Sequence, residues 1–244
     1  MKLSENVEML EIKAFNQTIH PVILWDKDSM VLIDAGFPQT FDLFKEEMQK
    51  LGLKIENISH IILTHQDIDH IGFVKEIMEL NPNVKILAHE VEAPYIDGRK
   101  TPVKLAALEA NSENLDEQRK GFLKMLTTGF AARKIPITHE LKDGEVIDVC
   151  GGIEIVFTPG HTPGHICIYL RKSKIAVCGD ALNIANDKFV GPNPQQASDA
   201  KEANESIGKL NGFGIETLVA YHSGACNKNV KEKLNDLCTE LIKE

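Results

Sequence analysis

Apolar residues recur along the chain in two rhythms. Short runs rich in β-branched residues occupy Val22 to Trp25, Val31 to Asp34, His60 to Leu63, Lys85 to Ala88, Ile153 to Thr158, Ile166 to Leu170, Ile175 to Cys178 and Thr217 to Ala220, and they predict strands. Helical spacing appears between them. Phe41, Phe44, Met48 and Leu51 follow a candidate cap at Thr40, and Ile71, Val74, Ile77 and Met78 follow Asp69. Strands mixed with amphipathic helices predict a layered α/β architecture. From Glu90 to Glu140 the strand signals stop, and the segment reads as helices ending in the apolar cluster Phe122, Met125, Leu126 and Phe130. It is expected to be a helical insertion (90–140) within a single domain over 1–244. The tail from Asn227 to Glu244 sets Val230, Leu234, Leu237 and Leu241 on one helical face, as in a closing helix packed on a sheet.

Composition narrows the function classes. With 244 residues and 43% hydrophobic content, the chain can bury a sizeable core. Its formal charge of -9, without a local basic patch, disfavours nucleic acid and anionic membranes as partners. The first twelve residues mix Glu and Lys among apolar side chains, unlike a secretory signal, and no apolar run is long enough to span a bilayer. Five scattered cysteines (Cys150, Cys167, Cys178, Cys226 and Cys238), without a Cys-x-x-Cys pair, suit reduced, buried thiols and a cytoplasmic location.

The densest chemical feature is His65-Gln66-Asp67-Ile68-Asp69-His70, four potential metal ligands directly after the apolar run Ile61-Ile62-Leu63. Four such groups cannot enter an apolar core unpartnered, so the plain alternative is a solvated turn with Asp67 or Asp69 as a helix cap. Three further ligand types stand in equivalent places: His161 after Ile155-Val156-Phe157, Asp180 after Ala176-Val177-Cys178, and His222 after Leu218-Val219-Ala220. Singly these read as a turn residue, a cap and a surface histidine. Together they read as one site, because strand ends on a shared sheet edge converge in space.

In this order the motifs resemble those of the metallo-β-lactamase superfamily. Leu32-Ile33-Asp34-Ala35-Gly36 is similar to its first motif, Thr64 to His70 to its second, Thr158 to His165 to its third, Gly179 to Leu182 to its fourth, and Tyr221-His222 to its last. The resemblance implies a four-layer αββα sandwich with two metals at one edge of the sheets. It implies that His65, Asp67 and His161 bind a first metal, that Asp69, His70 and His222 bind a second, and that Asp180 bridges them. Asp34 is then not a ligand but orders the motif loop through hydrogen bonds, beside a turn relaxed by Gly36. His165 is assigned a structural role. His20, His60, His89 and His139 match no motif and are assigned to surface or packing positions.

One residue departs from the family pattern. Most members carry histidine where this chain has Asp67, so the first metal would meet a carboxylate, which weakens Lewis acidity and makes the site harder. Zinc remains the first expectation for the two divalent ions, with Mn or Fe admitted.

The expected function is metal-dependent hydrolysis of a small-molecule ester, lactone or thioester by a metal-bridging hydroxide. A phosphodiester substrate or a non-hydrolytic protein (an iron redox enzyme or a metabolite binder) is the alternative. Asp69 is expected to orient the water and relay its proton, and Tyr221 to donate to the developing oxyanion. A true β-lactamase is disfavoured by the bridging Asp180. A glyoxalase II assignment is weakened by the short chain after His222, which leaves no room for a helical glutathione domain. The apolar cluster of the insertion is expected to wall the substrate pocket.

Overall fold

A computed structural model of the chain describes residues 1–241; the last three residues of the expected tail helix, 242–244, lie outside the described residues. Two large sheets stack face to face. The first has seven strands in chain order: Lys2–Ser4, Val7–Met9, Val22–Trp25, Met30–Ile33, His60–Leu63, Lys85–His89 and His139–Leu141. The last four run parallel and the earlier pairings are antiparallel. The second sheet has six: Val146–Ile147, Ile153–Phe157, Ile166–Leu170, Ile175–Val177, Thr217–Ala220 and Gly224–Cys226, with Ile175–Val177 and Thr217–Ala220 paired in parallel.

Side-chain alternation assigns each strand to two layers at once. Ile62, Val31 and Ile33 point between the sheets, where they meet Ile155, Ile166, Ile168, Val177 and Val219. Their neighbours Leu32, Ile61 and Leu63 point outward, against Phe44 and Met48 of α1 (Phe41–Lys50) and Val74 and Ile77 of α3 (Val74–Leu80). On the far side Cys167, Ala176, Leu218 and Ala220 pack under Ile207 of α7 (Ala200–Ile207) and Val230, Leu234 and Leu237 of α8 (Val230–Leu241). Strands buried on both faces read as continuous apolar runs, and each fully buried Leu or Ile contributes about 1.5–3 kcal/mol. The result is the expected αββα sandwich.

The segment after Glu90 forms α4 (Ala93–Ile96), α5 (Val103–Ala110) and α6 (Glu117–Ala132), which join the outer layer of the first sheet through Leu105, Leu126 and Phe130. Helix ends at Ala132, short of the expected Glu140, because His139–Leu141 pairs with Lys85–His89 as the sheet's edge strand. Thr40 is not a side-chain cap of α1; its hydroxyl bonds the Phe37 carbonyl at 2.8 Å within a preceding 3₁₀ turn. The helix expected after Asp69 is split into α2 (Ile68–Ile71) and α3 by Gly72-Phe73, whose N–H groups donate to Gly36 and Ala35 at 2.8 and 2.9 Å. All five cysteines are free, three of them buried. No helix among the described residues is long and apolar enough to cross a membrane.

Candidate metal centre

Each motif lies just past the carboxyl end of a strand, and these ends share one edge of the sandwich. Asp34 follows Met30–Ile33 in a left-handed conformation (φ 62°), and its carboxylate serves the next loop. It accepts the Thr64 N–H at 2.8 Å, lies 2.8 and 3.0 Å from the Thr64 hydroxyl, and sits 2.9 Å from His70 Nδ1. A carboxylate on Nδ1 fixes the tautomer and turns Nε2 of His70 into the site. Gly36 (φ +46°) turns the chain under Phe73, whose ring a side chain there would strike.

Asp67 occupies the cap position of α2 but makes no cap hydrogen bond. Its carboxylate faces inward instead, with Oδ2 3.2 Å from Nε2 of both His65 and His161. Asp180 stands between two groups. Its Oδ2 is 4.0 Å from His65 Nε2 and 3.5 Å from His161 Nε2, and its Oδ1 is 3.3 Å from Nε2 of both His70 and His222. Asp69 Oδ2 completes the second group, 3.3 Å from His222 Nε2 and 3.9 Å from His70 Nε2. The structure therefore brings together His65, Asp67, His161 and Asp180 on one side and Asp69, His70 and His222 on the other.

These residues fit metal ions. Donors that surround a cation at about 2.0–2.2 Å stand roughly 3.3–3.6 Å from one another, and the donor distances of 3.2–4.0 Å within the two groups bracket that spacing. His65 Nε2, His70 Nε2 and Asp180 Oδ1 are buried without a hydrogen-bond partner, which is costly unless something else satisfies them.

Charge and burial act differently on the individual donors. Burial, helped by the nearby His70 charge, holds His65 well below the usual histidine range, so it is neutral as a ligand must be. Burial opposes the charge on His70 and His222. The carboxylates outweigh it, Asp34 and Asp180 lifting His70 well above its ordinary value and Asp180 and Asp69 lifting His222. Asp180 is likewise driven well down, against burial, by His70 and His222. Burial raises Asp69, and His70 only partly offsets it.

The supporting frame was partly invisible in the sequence. His165, burial-depressed to about 3, accepts the Asp180 N–H on Nε2 at 3.2 Å and so helps place that carboxylate. Gly179 makes the approach possible: it has φ +49°, and a Cβ there would come within 2.8 Å of that ring nitrogen. Glu92 carries no motif signal. Its buried carboxylate accepts Gln66 N–H at 2.8 Å, Gln66 Nε2 at 2.9 Å and Gly164 N–H at 2.7 Å, tying the second motif to the third. Lys104 at the start of α5 carries no motif signal either; its ammonium pairs with Asp67 Oδ2. Only a contact across 37 positions of the chain reveals it.

Tyr221 does not take the place expected of an oxyanion donor. It is 2% exposed, its hydroxyl donates to the Asp69 carbonyl at 2.7 Å and accepts the Gly36 N–H at 3.2 Å, and its ring lies 3.9 Å from that of His70. The unmatched histidines serve packing and local bonds: His20 bonds the Leu10 carbonyl, His60 Ser59 and His139 Glu145, while His89 stacks on Phe157.

A cavity of about 430 Å³ opens over both groups. Ile68, Phe122, Met125, Leu126 and Phe130 give it an apolar wall, and Asn183, Asn193 and Gln196 are among its polar positions.

A two-sheet sandwich with paired His/Asp groups at one edge defines a metallo-hydrolase scaffold, and the chain belongs to the metallo-beta-lactamase superfamily, whose sequence profile matches residues 18–222. It is 31% identical over 230 residues to a probable metallo-hydrolase, YflN of Bacillus subtilis, covering 87% of this chain and 83% of that protein. It is 26% identical over 179 residues to the hydroxyacylglutathione hydrolase GloC of Haemophilus influenzae, covering 72% of each. A metallo-beta-lactamase family protein from Thermus thermophilus shares the fold, with a TM-score of 0.76 at 21% identity over 99% of this chain and 81% of that one.

Proposed function

We propose that the chain is a binuclear metal-dependent hydrolase of small acyl substrates, with a thioester placed ahead of simple esters and lactones. The observation that carries this reading is Asp180, whose two oxygens face two separate His/Asp groups on the floor of an apolar-walled cavity. Divalent ions held there, zinc first with Mn or Fe admitted by the carboxylate-rich donor set, would ease deprotonation of water and polarise the substrate carbonyl.

The chain's own residues supply the rest. Asp69, open to the cavity beside His222 and Asp180, can orient the water and relay its proton to the leaving group. Tyr221, by holding the Asp69 carbonyl, keeps that residue in register with His222. The wall of α6 takes the acyl chain and excludes water. The likeness to GloC, named for a thioester substrate, favours the thioester.

The test is turnover of a thioester, ester, lactone and phosphodiester panel by protein loaded with Zn, Mn or Fe. Acyl hydrolysis that disappears on chelation and in Asp69→Asn is expected. Turnover confined to phosphodiesters, or redox activity of iron-loaded protein without hydrolysis, would replace this reading.

A further inference from the structure

The two halves of the centre differ in one charge. Lys104 Nζ lies on Asp67 Oδ2, the same oxygen that faces His65 and His161, and is 3.5 Å from His161 Nε2. Among the described residues it is the one lysine or arginine lining the cavity, and the group of Asp69, His70 and His222 has no counterpart. Its position is built rather than incidental. Gln66, clamped by Glu92, accepts the Val103 N–H on Oε1 at 2.7 Å and so fixes the first turn of α5 beside Asp67. The lysine side chain is 30% exposed.

We propose that Lys104 is a resident counter-cation of the first subsite, competing with metal for Asp67, so that the two subsites load unequally and the Asp69–His70–His222 side fills first. The proposal rests on the metal-centre reading above. An ammonium paired with a carboxylate is neutral overall, as imidazole is, so Lys104 offsets the charge that Asp67 adds where the family pattern has histidine. An ion entering between His65, Asp67 and His161 must take an oxygen the ammonium already holds, and then stay within a few ångströms of that positive charge in a poorly solvated pocket. Neither cost arises on the other side of Asp180.

Zinc titration of the demetallated full-length chain, by competition with a chromophoric chelator, reads this without any substrate. The wild-type chain should bind zinc in two steps separated by at least about tenfold in affinity. Lys104→Met should tighten the weaker step by about tenfold or more and leave the stronger one unchanged, while Lys104→Arg, which keeps the charge, should retain the two steps. Lys104→Gln repeats the comparison if the methionine variant does not survive demetallation. A weaker step that is unchanged or loosened in the neutral variants would overturn the proposal, because Lys104 would then merely hold Asp67 in place. Two equal steps in the wild-type chain would overturn it as well, while leaving the binuclear reading intact. No zinc bound by any of the proteins would overturn both.

Discussion

Replacing Tyr221 with phenylalanine separates two roles for its hydroxyl. The ring is retained, so its stacking against His70 and the filling of the core are preserved. What is lost is one donor to the Asp69 carbonyl, in a part-buried contact, and one acceptor for the Gly36 N–H, in a buried one. Each group left unpaired costs about 1–3 kcal/mol, so Tyr221→Phe should destabilise the fold by roughly 2–6 kcal/mol. In a chain of this size that lowers the melting temperature by about 4–24 °C. Because the two contacts tie the first motif to Asp69, kcat should fall modestly, with KM little changed. Thermal unfolding of the demetallated protein by circular dichroism, beside steady-state kinetics of the loaded one, measures both. An unchanged melting temperature with kcat reduced about 100-fold or more would refute the reasoning and return Tyr221 to the role of oxyanion donor.

Asp180→Asn keeps the size of the side chain and removes the shared charge; at least one metal per chain should be lost and turnover with it, as elemental analysis and kinetics would show. Phe122→Ala and Met125→Ala touch side chains that are 46% and 49% exposed on the cavity wall, so acyl-chain preference in kcat/KM should change at a stability cost within about 0.5 kcal/mol. Leu126→Ala, in the core, should cost about 2–5 kcal/mol. His165 sets an acid limit: the unfolded chain takes up its proton near 6.5, while the folded ring, at about 3, does not. The stability it contributes is therefore full above pH 6.5 and lost as pH falls toward 3, by up to about 4–5 kcal/mol; urea unfolding of the demetallated protein against pH should be less acid-sensitive in His165→Asn.

Where function and core share one local pattern, the sequence was legible. Ile61-Ile62-Leu63 announces a strand buried on both faces, and ligand-type residues follow where such strands end, so a layered α/β fold with one shared site could be anticipated from residue order, while the four-layer sandwich and the division into two His/Asp groups were implied by the resemblance of the ordered motifs to the metallo-β-lactamase superfamily. The N-terminal strands Lys2–Ser4 and Val7–Met9 were not, because Lys, Glu and Ser interrupt runs only three residues long. Thr40 looked like a cap because its type and spacing are right, yet a preceding 3₁₀ turn claims its hydroxyl. Lys104 and Glu92 act through contacts made only after the insertion has folded over the second motif, and no local spacing encodes them. Tyr221 was legible as a site neighbour but not in its direction: on a strand-to-loop corner a one-residue difference turns a side chain from the cavity, where His222 points, into the core.

The measurement that bears most directly on the account is anomalous diffraction at the zinc edge from crystals of the protein saturated with zinc. Two peaks are predicted, one on each side of the Asp180 carboxylate, the first within about 2.0–2.2 Å of donor atoms of His65, Asp67 and His161, and the second at like distance from Asp69, His70 and His222. A single peak at full saturation, or two peaks that leave Asp180 outside both coordination spheres, would contradict it.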